Sequence, residues 1–205
     1  MLSRLYAAMY DKVSEGSEKA GMRERRRSLL ADAQGATIEI GAGTGQNVQH
    51  YPASVIRLVL VEPDRHMARR LGRRVHAHRP DAEIVNAEAG RLPFADASFD
   101  TAVVTFVLCS VADQQAALAE MNRVLKPGGR LLFLEHVRSD DEKIAARQRR
   151  YRRCYGLIGC DPTRATLESI EASPFAVESV EHGEVPKVPS VERPMIVGVA
   201  RAGAR

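Results

Sequence analysis

The spacing of apolar side chains changes several times along the first part of the chain. Over residues 1–34 apolar positions recur every three or four residues, which predicts helical structure. Short apolar runs at residues 36–40 and 57–61 predict strands, whereas residues 64–79 carry the apolar stripe of a surface helix. A short helix is predicted between the first two strands, at residues 46–51.

The same alternation continues in the rest of the chain. Residues 99–106 form an almost continuous apolar run, as expected for a strand that is buried on both faces of a parallel sheet. Asp113 has the chemistry of a helix N-cap, and the Pro-Gly-Gly sequence at residues 127–129 is expected to end the helix that follows. The remaining predicted elements are strands at residues 83–85, 130–137, 176–181 and 194–200 and helices at residues 141–156 and 163–172.

This order of elements predicts an α/β fold. Strands and helices alternate until about residue 140, which is typical of a doubly wound, mostly parallel sheet with helices on both faces. The predicted strands number seven, and the last two follow one another without a helix between them. We therefore expect a C-terminal hairpin in which one strand runs antiparallel to the rest.

Composition indicates a globular protein without a membrane span. The 205 residues are 44 % apolar and 27 % charged, which suits one domain with its own core. The longest apolar run, residues 101–111, is shorter than the ~20 residues that a span needs, and no secretory signal is recognisable at the N-terminus. Cys109, Cys154 and Cys160 are scattered and lack the spacing of a zinc knuckle, which predicts free thiols in a reducing cytoplasm and no metal site.

Positive charge is clustered, although the net charge is only +4. Lysine and arginine concentrate at residues 23–27, 69–74 and 143–153. Solvated helix faces would explain these clusters, and attraction to an anionic membrane is the alternative. Nucleic acid is a less suitable partner, because aromatic residues for base stacking make up only 5 % of the chain and tryptophan is absent.

A glycine-rich turn follows the first predicted strand. Gly41, Gly43 and Gly45 form the pattern G-x-G-x-G, whereas a dinucleotide fingerprint would need a glycine at position 46, which is glutamine. Glu62 ends the second strand, where its carboxylate can accept hydrogen bonds from two ribose hydroxyls and would repel a 2′-phosphate. These residues favour a nucleotide site that does not take NADP. They leave hydride transfer with NAD and methyl transfer from S-adenosylmethionine as open choices.

Four segments together resemble the class I S-adenosylmethionine-dependent methyltransferases. They are IEIGAGTGQN, VLVEPD, NAEAGRLPFADASFD and RVLKPGGRLLFLEH, which follow the family's order within residues 36–140. Within that family the segments are similar to the small-molecule branch that includes the ubiquinone and menaquinone biosynthesis methyltransferases. A shorter and less specific segment, GCDPTRATLESIEASPF, resembles part of the methyltransferase-like thiol methyltransferases.

The resemblance implies a Rossmann-like fold, S-adenosyl-L-methionine as cofactor and S-adenosyl-L-homocysteine as product. We expect a single methyltransferase domain over residues 1–205 with three parts. These are an N-terminal helical lid at residues 1–34, a cofactor-binding core at residues 35–140, and substrate-side helices with the C-terminal strands at residues 141–205.

The resemblance also implies roles for individual residues. Those expected to face the methionine part of the cofactor are Glu39, Gly41, Ala42, Gly43 and Gly45. Glu62 would bind the ribose hydroxyls, and Pro63 would lie against the adenine. Asn86 and Ala87 would hold the adenine edge, and Thr105 would lie near the sulfonium. The family commonly has aspartate at the position of Asn86, yet the amide oxygen of asparagine can still accept from the adenine amino group.

Candidates for the acceptor side of the site carry weaker signals. His136, at the end of the fifth strand, is a candidate base or substrate-orienting group, and a structural histidine is the alternative. Cys109 follows the fourth strand and would either line the acceptor pocket or serve as a small buried apolar residue. Tyr6 and Tyr10 lie in the N-terminal helix, where they would face the substrate or pack in the core.

We therefore expect a cytoplasmic enzyme that transfers a methyl group to an oxygen, carbon, sulfur or nitrogen atom of a small lipophilic acceptor. The alternatives are a nucleic-acid or protein methyltransferase and a non-catalytic subunit that binds S-adenosylmethionine. Enzymes that methylate amino groups of nucleic-acid bases usually carry Asn-Pro-Pro-Tyr after the fourth strand, where residues 105–110 of this chain read Thr-Phe-Val-Leu-Cys-Ser. Contact with an anionic membrane remains a further expectation.

Overall fold

A sheet of seven strands runs through the protein. The strands are β1 (Gly35–Ile40), β2 (Val55–Val61), β3 (Glu83–Val85), β4 (Phe99–Thr105), β5 (Leu125–His136), β6 (Phe175–Glu184) and β7 (Pro194–Ala202). In the computed structural model, which describes residues 2–156 and 159–203, their order is β3-β2-β1-β4-β5-β7-β6. All neighbouring strands are parallel except that β7 is antiparallel to both β5 and β6. The predicted doubly wound sheet with one antiparallel strand is confirmed.

Six α-helices of the described residues cover the sheet. They are α1 (Leu2–Ser17), α2 (Arg23–Leu30), α3 (Arg65–His78), α4 (Gln114–Val124), α5 (Glu142–Gly156) and α6 (Thr166–Glu171). A π-helical turn at Glu18–Met22 separates α1 from α2, and Gly21 within it has a φ of 134°. Few residues other than glycine tolerate that backbone, so the N-terminal helical segment bends here. Within residues 2–156 and 159–203 no helix is both long and apolar enough to cross a bilayer.

Alternating side chains of the central strands build one core on each face of the sheet. Ile38, Val59 and Phe133 belong to the core that α4 and α6 cover. On the opposite face, Leu60 and Leu132 pack with side chains from α2 and α3. Because both faces are covered, the central strands read as continuous apolar runs in the sequence.

Two predicted helices are shorter in the structure. The helix expected at residues 46–51 is a single 3₁₀ turn, Val48–His50. The helix expected at residues 163–172 begins only at Thr166. Its predicted first residues are held in a turn, because the Asp161 carboxylate accepts from the backbone N–H and the hydroxyl of Thr163.

The carboxyl ends of β1 to β5 lie at one edge of the sheet, next to the N-termini of two capped helices. Asp64 caps α3 by accepting from the backbone N–H groups of His66 and Met67. Asp113 caps α4 in the same way, as predicted. The chain reverses its direction across the sheet between β1 and β4, which is where doubly wound folds bind their ligands.

Candidate active site

The turn that follows β1 borders a cleft at this edge of the sheet. Gly43 has a φ of 57°, and a Cβ atom on it would meet no atom closer than 4.0 Å, so it would project into the cleft. Gly45 has a φ of 87°, and a Cβ atom there would lie 2.7 Å from Leu71 Cδ1. Gly43 therefore leaves room for a ligand against the backbone, whereas Gly45 allows the turn to pack on α3. Gly41 also borders the cleft, and Ala42 is buried, with its N–H donating to the carbonyl of Val61.

Glu62 joins this turn to the end of β2. Its Oε2 accepts from the N–H of Gly43 at 2.7 Å, and its Oε1 accepts from the N–H of Asp64 at 2.8 Å. The side chain borders the cleft, and burial raises the pKa of its carboxyl above the ordinary value. Each carboxylate oxygen keeps a second lone pair, so Glu62 can still accept from ligand hydroxyls.

The residues predicted to surround adenine lie together beside Glu62. The amide nitrogen of Asn86 donates to the carbonyl oxygens of Glu62, at 3.1 Å, and of Pro63, at 2.9 Å. These two bonds join the ends of β2 and β3, and the amide oxygen is left as the acceptor. Pro63 and Ala87 line the cleft. A deprotonated aspartate could not donate these bonds, so the asparagine changes how the two strand ends are connected.

A buried polar network lies behind the glycine turn. Glu39 accepts from Asn47 Nδ2 at 2.8 Å and from the Tyr51 hydroxyl at 2.7 Å. Burial raises the pKa of Glu39 to about 7, although both hydrogen bonds act in the opposite direction. Asn47 Nδ2 also lies 3.1 Å from Thr105 Oγ1, which borders the cleft at the end of β4. Glu39 thus supports the turn, and Thr105 connects it to the cleft.

Arg26 of α2 brings a positive charge into this network. Its Nη1 donates to Asn47 Oδ1 at 3.0 Å and to Thr105 Oγ1 at 3.1 Å. Its Nε donates to Glu18 at 2.9 Å, and only 3 % of the arginine surface is exposed. This arginine is therefore a functional candidate that the sequence reading missed.

The interpretation of residues 23–27 as a solvated basic cluster is wrong for Arg26. A usable signal was present, because Leu29 and Leu30 follow Arg26 at the three- and four-residue spacing that shares one helix face. Both leucines are buried in the core between α2 and the sheet. Arg26 lies on that same face, whereas Arg27 and its partner Glu24 are exposed.

Asp11 attaches α1 to the glycine turn. Its carboxylate accepts from the Thr44 hydroxyl at 2.6 Å. It also pairs with Arg70 at 3.4 Å and Arg74 at 3.0 Å, both on α3. The N-terminal helix is thus held across the carboxyl edge of the sheet by a half-buried carboxylate.

Gln46 forms a second connection and has an unsatisfied oxygen. Its Nε2 donates to Ser14 Oγ of α1 at 2.6 Å. Its Oε1 is buried and has no hydrogen-bond partner among the described residues. Both Gln46 and Gly43 border the cleft. A buried acceptor without a hydrogen-bond partner destabilises the folded protein. A donor from a bound ligand, such as the amino group of a methionine moiety, would satisfy it.

A cavity of about 890 Å³ extends from this turn. The apolar side of α1 faces it, with Tyr6, Met9, Tyr10 and Val13 among the lining residues. The Tyr6 and Tyr10 rings meet edge to face with centroids 5.6 Å apart. Further lining side chains are Met22, Val107, Val111, Ala112, Ala116, Val185 and Val188. This size and lining suit a small apolar molecule lying beside a nucleotide.

Glu135 holds the loop that follows β4 against the end of β5. Its fully buried carboxylate accepts from the N–H groups of Val107, Leu108 and Cys109 at 2.8, 3.0 and 3.3 Å. Burial raises the pKa of Glu135 to about 7. The sequence reading used Glu135 only as the neighbour of His136, yet it determines the position of Cys109.

Cys109, His136 and Cys160 meet on the wall of the cavity. Cys160 Sγ lies 3.7 Å from His136 Nδ1, and the His136 ring packs on Phe106 with centroids 4.3 Å apart. The interaction with Cys109 and the nearby imidazole lower the pKa of the Cys160 thiol, whereas the same interaction and burial raise the pKa of Cys109. The expectation of scattered cysteines therefore holds only for Cys154, which is exposed.

Known proteins that are similar to this chain are methyltransferases. The family described as "Methyltransferase domain" matches residues 38–133. The chain is 30 % identical over 193 residues to thiol S-methyltransferase TMT1A of Homo sapiens. The aligned region covers 87 % of this chain and 79 % of that protein. It is 36 % identical over 140 residues to demethylmenaquinone methyltransferase of Renibacterium salmoninarum, covering 63 % and 57 % of the two chains.

A solved structure agrees at the level of the fold. The S-adenosylmethionine-dependent methyltransferase of Thermotoga maritima superposes with a TM-score of 0.72 at 19 % identity, over 99 % of this chain and 98 % of that one. The identity and coverage of the thiol S-methyltransferase show the family, and the sheet order and glycine turn are consistent with it. The chain belongs to the class I S-adenosylmethionine-dependent methyltransferases that act on small molecules.

Proposed function

We propose that this enzyme methylates a lipophilic thiol. The observation that carries the proposal is the large, mostly apolar cavity that runs from the glycine turn to Cys109 and His136. Apolar walls favour hydrocarbon groups, because removing their surface from water stabilises the bound state by roughly 25 cal/mol per Å² of apolar surface buried. The similarity to a protein named thiol S-methyltransferase supports sulfur as the acceptor atom.

We further propose how this chain's residues hold the cofactor. Glu62 accepts from the ribose hydroxyls, and the amide oxygen of Asn86 accepts from the adenine amino group between Pro63 and Ala87. For the methionine part, the proposed residues are Glu39, Gly41, Ala42, Gly43, Gly45 and Thr105. Of these, Glu39, Ala42 and Gly45 act by shaping the turn, whereas Gly41, Gly43 and Thr105 border the cavity. When bound, the cofactor supplies a methyl group that is already activated on a sulfonium.

The enzyme's main task is then to align the acceptor and exclude water. The acceptor sulfur bonds to the methyl carbon as the bond from that carbon to the sulfonium sulfur breaks. Aligning the two reactants in this way can lower the activation barrier by on the order of 7–11 kcal/mol. A thiol of ordinary pKa ~8.5 must first lose its proton, and we propose that His136 promotes this loss. Within residues 1–34, α1 acts as the lid, with Tyr6 and Tyr10 contacting the acceptor, whereas α2 stays packed in the core.

Acceptor competition tests the proposed function. Radiolabelled S-adenosylmethionine is offered with a long-chain alkanethiol, a short hydrophilic thiol, a phenol and a quinol of similar size. We expect the alkanethiol to have the highest kcat/KM. The short thiol should have a higher KM than the alkanethiol, with a smaller difference in kcat. Substitution His136→Gln should lower kcat, whereas His78→Gln on the exposed side of α3 should not. Faster transfer to the phenol or quinol would exclude the thiol assignment.

We also propose that α5 contacts an anionic membrane, the source of lipophilic acceptors. Gln148 attaches this helix to the protein by donating to the carbonyls of Val137 and Val191. Its exposed side chains include Lys143, Arg147, Arg150, Tyr151 and Arg153. Each basic side chain near an anionic membrane surface contributes about 1 kcal/mol to the free energy of membrane binding.

Vesicle cosedimentation at low salt tests this contact. We expect binding to vesicles with anionic lipid and none to purely zwitterionic vesicles. The triple substitution of Arg147, Arg150 and Arg153 by glutamine should abolish it. The matched control replaces three exposed arginines of α3 by glutamine, namely Arg65, Arg69 and Arg73. Equal loss in both triple variants would indicate a nonspecific effect of net charge and would contradict the role of α5.

A further inference from the structure

The cluster of Cys109, His136 and Cys160 offers three soft or borderline metal ligands in one place. One potential ligand atom from each lies within 4.8 Å of the other two. All three residues border the acceptor cavity, and Cys109 is buried while the other two are partly exposed. Two thiols and an imidazole form a common ligand set for zinc sites that keep one position for substrate or water.

The three side chains come from separate segments that hydrogen bonds hold together. Cys109 donates its backbone N–H to the buried Glu135 carboxylate, and its carbonyl accepts from the N–H of Asp161 at 2.8 Å. Arg164 then secures the same two loops, because its guanidinium donates to the carbonyls of Leu108 and Val111 at 2.7 and 2.6 Å. The ligand set is therefore held by the fold and is not a chance approach of loose side chains.

The distances fit a tetrahedral ion after a small adjustment. With metal–sulfur bonds of ~2.3 Å and metal–nitrogen bonds of ~2.0–2.1 Å, ligand atoms in a tetrahedral site lie roughly 3.6–3.8 Å apart. The distance between Cys160 Sγ and His136 Nδ1 is 3.7 Å, and no pair in the cluster exceeds 4.8 Å. Side-chain shifts on the order of 1 Å would complete the geometry.

We propose that Cys109, His136 and Cys160 bind a thiophilic divalent cation, Zn²⁺ above all, with the fourth coordination position open to the acceptor cavity. The consequence for catalysis rests on the proposed function, since the fourth ligand is the acceptor thiol. On binding, the acceptor S–H releases its proton to water and its sulfur bonds to the cation. That sulfur then attacks the methyl carbon, and the electron pair of the broken carbon–sulfur bond stays on S-adenosylhomocysteine.

Because a thioether is a much weaker ligand than a thiolate, the methylated product leaves the cation. His136 then promotes loss of the acceptor proton as a ligand of the cation and not as a free base. This arrangement also explains why a methyltransferase for a thiol would keep two of its own thiols beside the acceptor.

Cobalt titration of the reduced, metal-free protein of 205 residues tests the site. Co²⁺ bound by two thiolates should give thiolate-to-cobalt absorption in the near ultraviolet and the visible bands of a tetrahedral ion, both saturating at one equivalent. Zn²⁺ should displace it. Cys160→Ser and His136→Gln should weaken Co²⁺ binding at least tenfold, whereas Cys154→Ser, which removes the exposed cysteine, should not.

Binding of S-adenosylhomocysteine by each variant shows that the fold is intact. Cys109 is buried, so its substitution is informative only if that binding persists. Absence of saturable Co²⁺ binding, or equal binding by Cys160→Ser, would overturn the metal site. Full thiol methylation by metal-free enzyme would refute the activation step while leaving the proposed function intact. Tight Co²⁺ binding without activity on any thiol would support the site and refute the proposed acceptor.

Discussion

At the scale of single residues, the ends of β2 and β3 divide two tasks between Glu62 and Asn86. Glu62 holds the turn through Gly43 and keeps acceptor capacity for a ligand. The amide nitrogen of Asn86 donates hydrogen bonds that join the two strand ends, and its amide oxygen is left as an acceptor for a ligand. The sequence predicted a cofactor role for both positions, but the hydrogen bonds by which they also support the strand ends depend on contacts that only the folded chain defines.

Replacement of Glu62 by glutamine should weaken binding of S-adenosylhomocysteine by about 1.5–3 kcal/mol, because charge-assisted bonds to the ribose would be lost. Titration calorimetry measures the affinity. Glu83→Gln is the matched control, since Glu83 is an exposed strand acid paired with Arg57. An affinity unchanged in Glu62→Gln would contradict the ribose role.

Replacement of Arg26 by methionine should lower the free energy of unfolding by about 3–5 kcal/mol, because it leaves Glu18 buried without its cation. Urea denaturation monitored by circular dichroism measures the loss. The double variant Arg26→Met with Glu18→Met should recover much of it. Arg27→Met removes an exposed pair and should change stability little. A loss no larger than that of Arg27→Met would argue against a buried pair.

At the scale of elements, α1 differs from α2, α3 and α4 because four of its apolar side chains line a cavity and, among those described, only Ala7 is buried. Met9 is 50 % exposed and Val13 is 73 % exposed, although both line the cavity. Its attachment therefore depends on polar contacts through Asp11 and Ser14. A helix held in this way can open locally at low cost, as entry of a cofactor requires.

Replacement of Asp11 by asparagine should release α1 from α3 and the turn. We expect about 1 kcal/mol of weaker S-adenosylhomocysteine binding, roughly fivefold in affinity, with faster amide exchange confined to α1. Calorimetry and hydrogen exchange measure the two effects. Glu15→Gln alters an exposed acid of the same helix and should change neither. A global rise in exchange would point to general destabilisation and against a lid.

Local patterns in the sequence were sufficient for most elements but not for the loops. The apolar runs of β2, β3 and β4 and the cap at Asp113 follow from rules that act over a few residues. Cys160 reaches Cys109 because Asp161 bonds to the loop after β4, a contact between positions 52 residues apart that no periodicity encodes. The role of Arg26 could not be predicted for a related reason, since its burial depends on pairing with Glu18 in the preceding π-helical turn.

At the scale of the whole molecule, buried acids near the cleft make stability depend on pH. Glu39 and Glu135 are buried at the carboxyl ends of β1 and β5, and burial raises the pKa of each to about 7. In the unfolded chain a glutamate titrates near ~4.3. Between these values the folded state holds protons that the unfolded state has lost, so the free energy of unfolding falls as pH rises.

The variant Glu39→Gln should therefore flatten this profile. Urea denaturation at pH 5, 6, 7 and 8 should show that the free energy of unfolding of the wild-type protein, relative to that of the variant, falls from pH 5 to about 7 and is constant above it. The variant should lose less over the same interval, because the amide does not titrate. Glu135 contributes in the same direction as Glu39, whereas the lowered pKa values of His50 and Cys160 act in the opposite direction. Identical profiles would show that Glu39 titrates as an ordinary carboxyl.

One of the two edge strands, β6, has a consequence for how copies of the protein behave at high concentration. A ten-residue strand at the end of a sheet is a template for pairing with another chain. Here the register shifts between Val177 and Ser179, and glutamates at positions 178, 181 and 184 line the strand. Glu178 and Glu181 are paired with Arg201 and Arg25, so the bulge is the main protection of this edge. A second strand that approached β6 would meet an interrupted ladder, which disfavours fibril-like association.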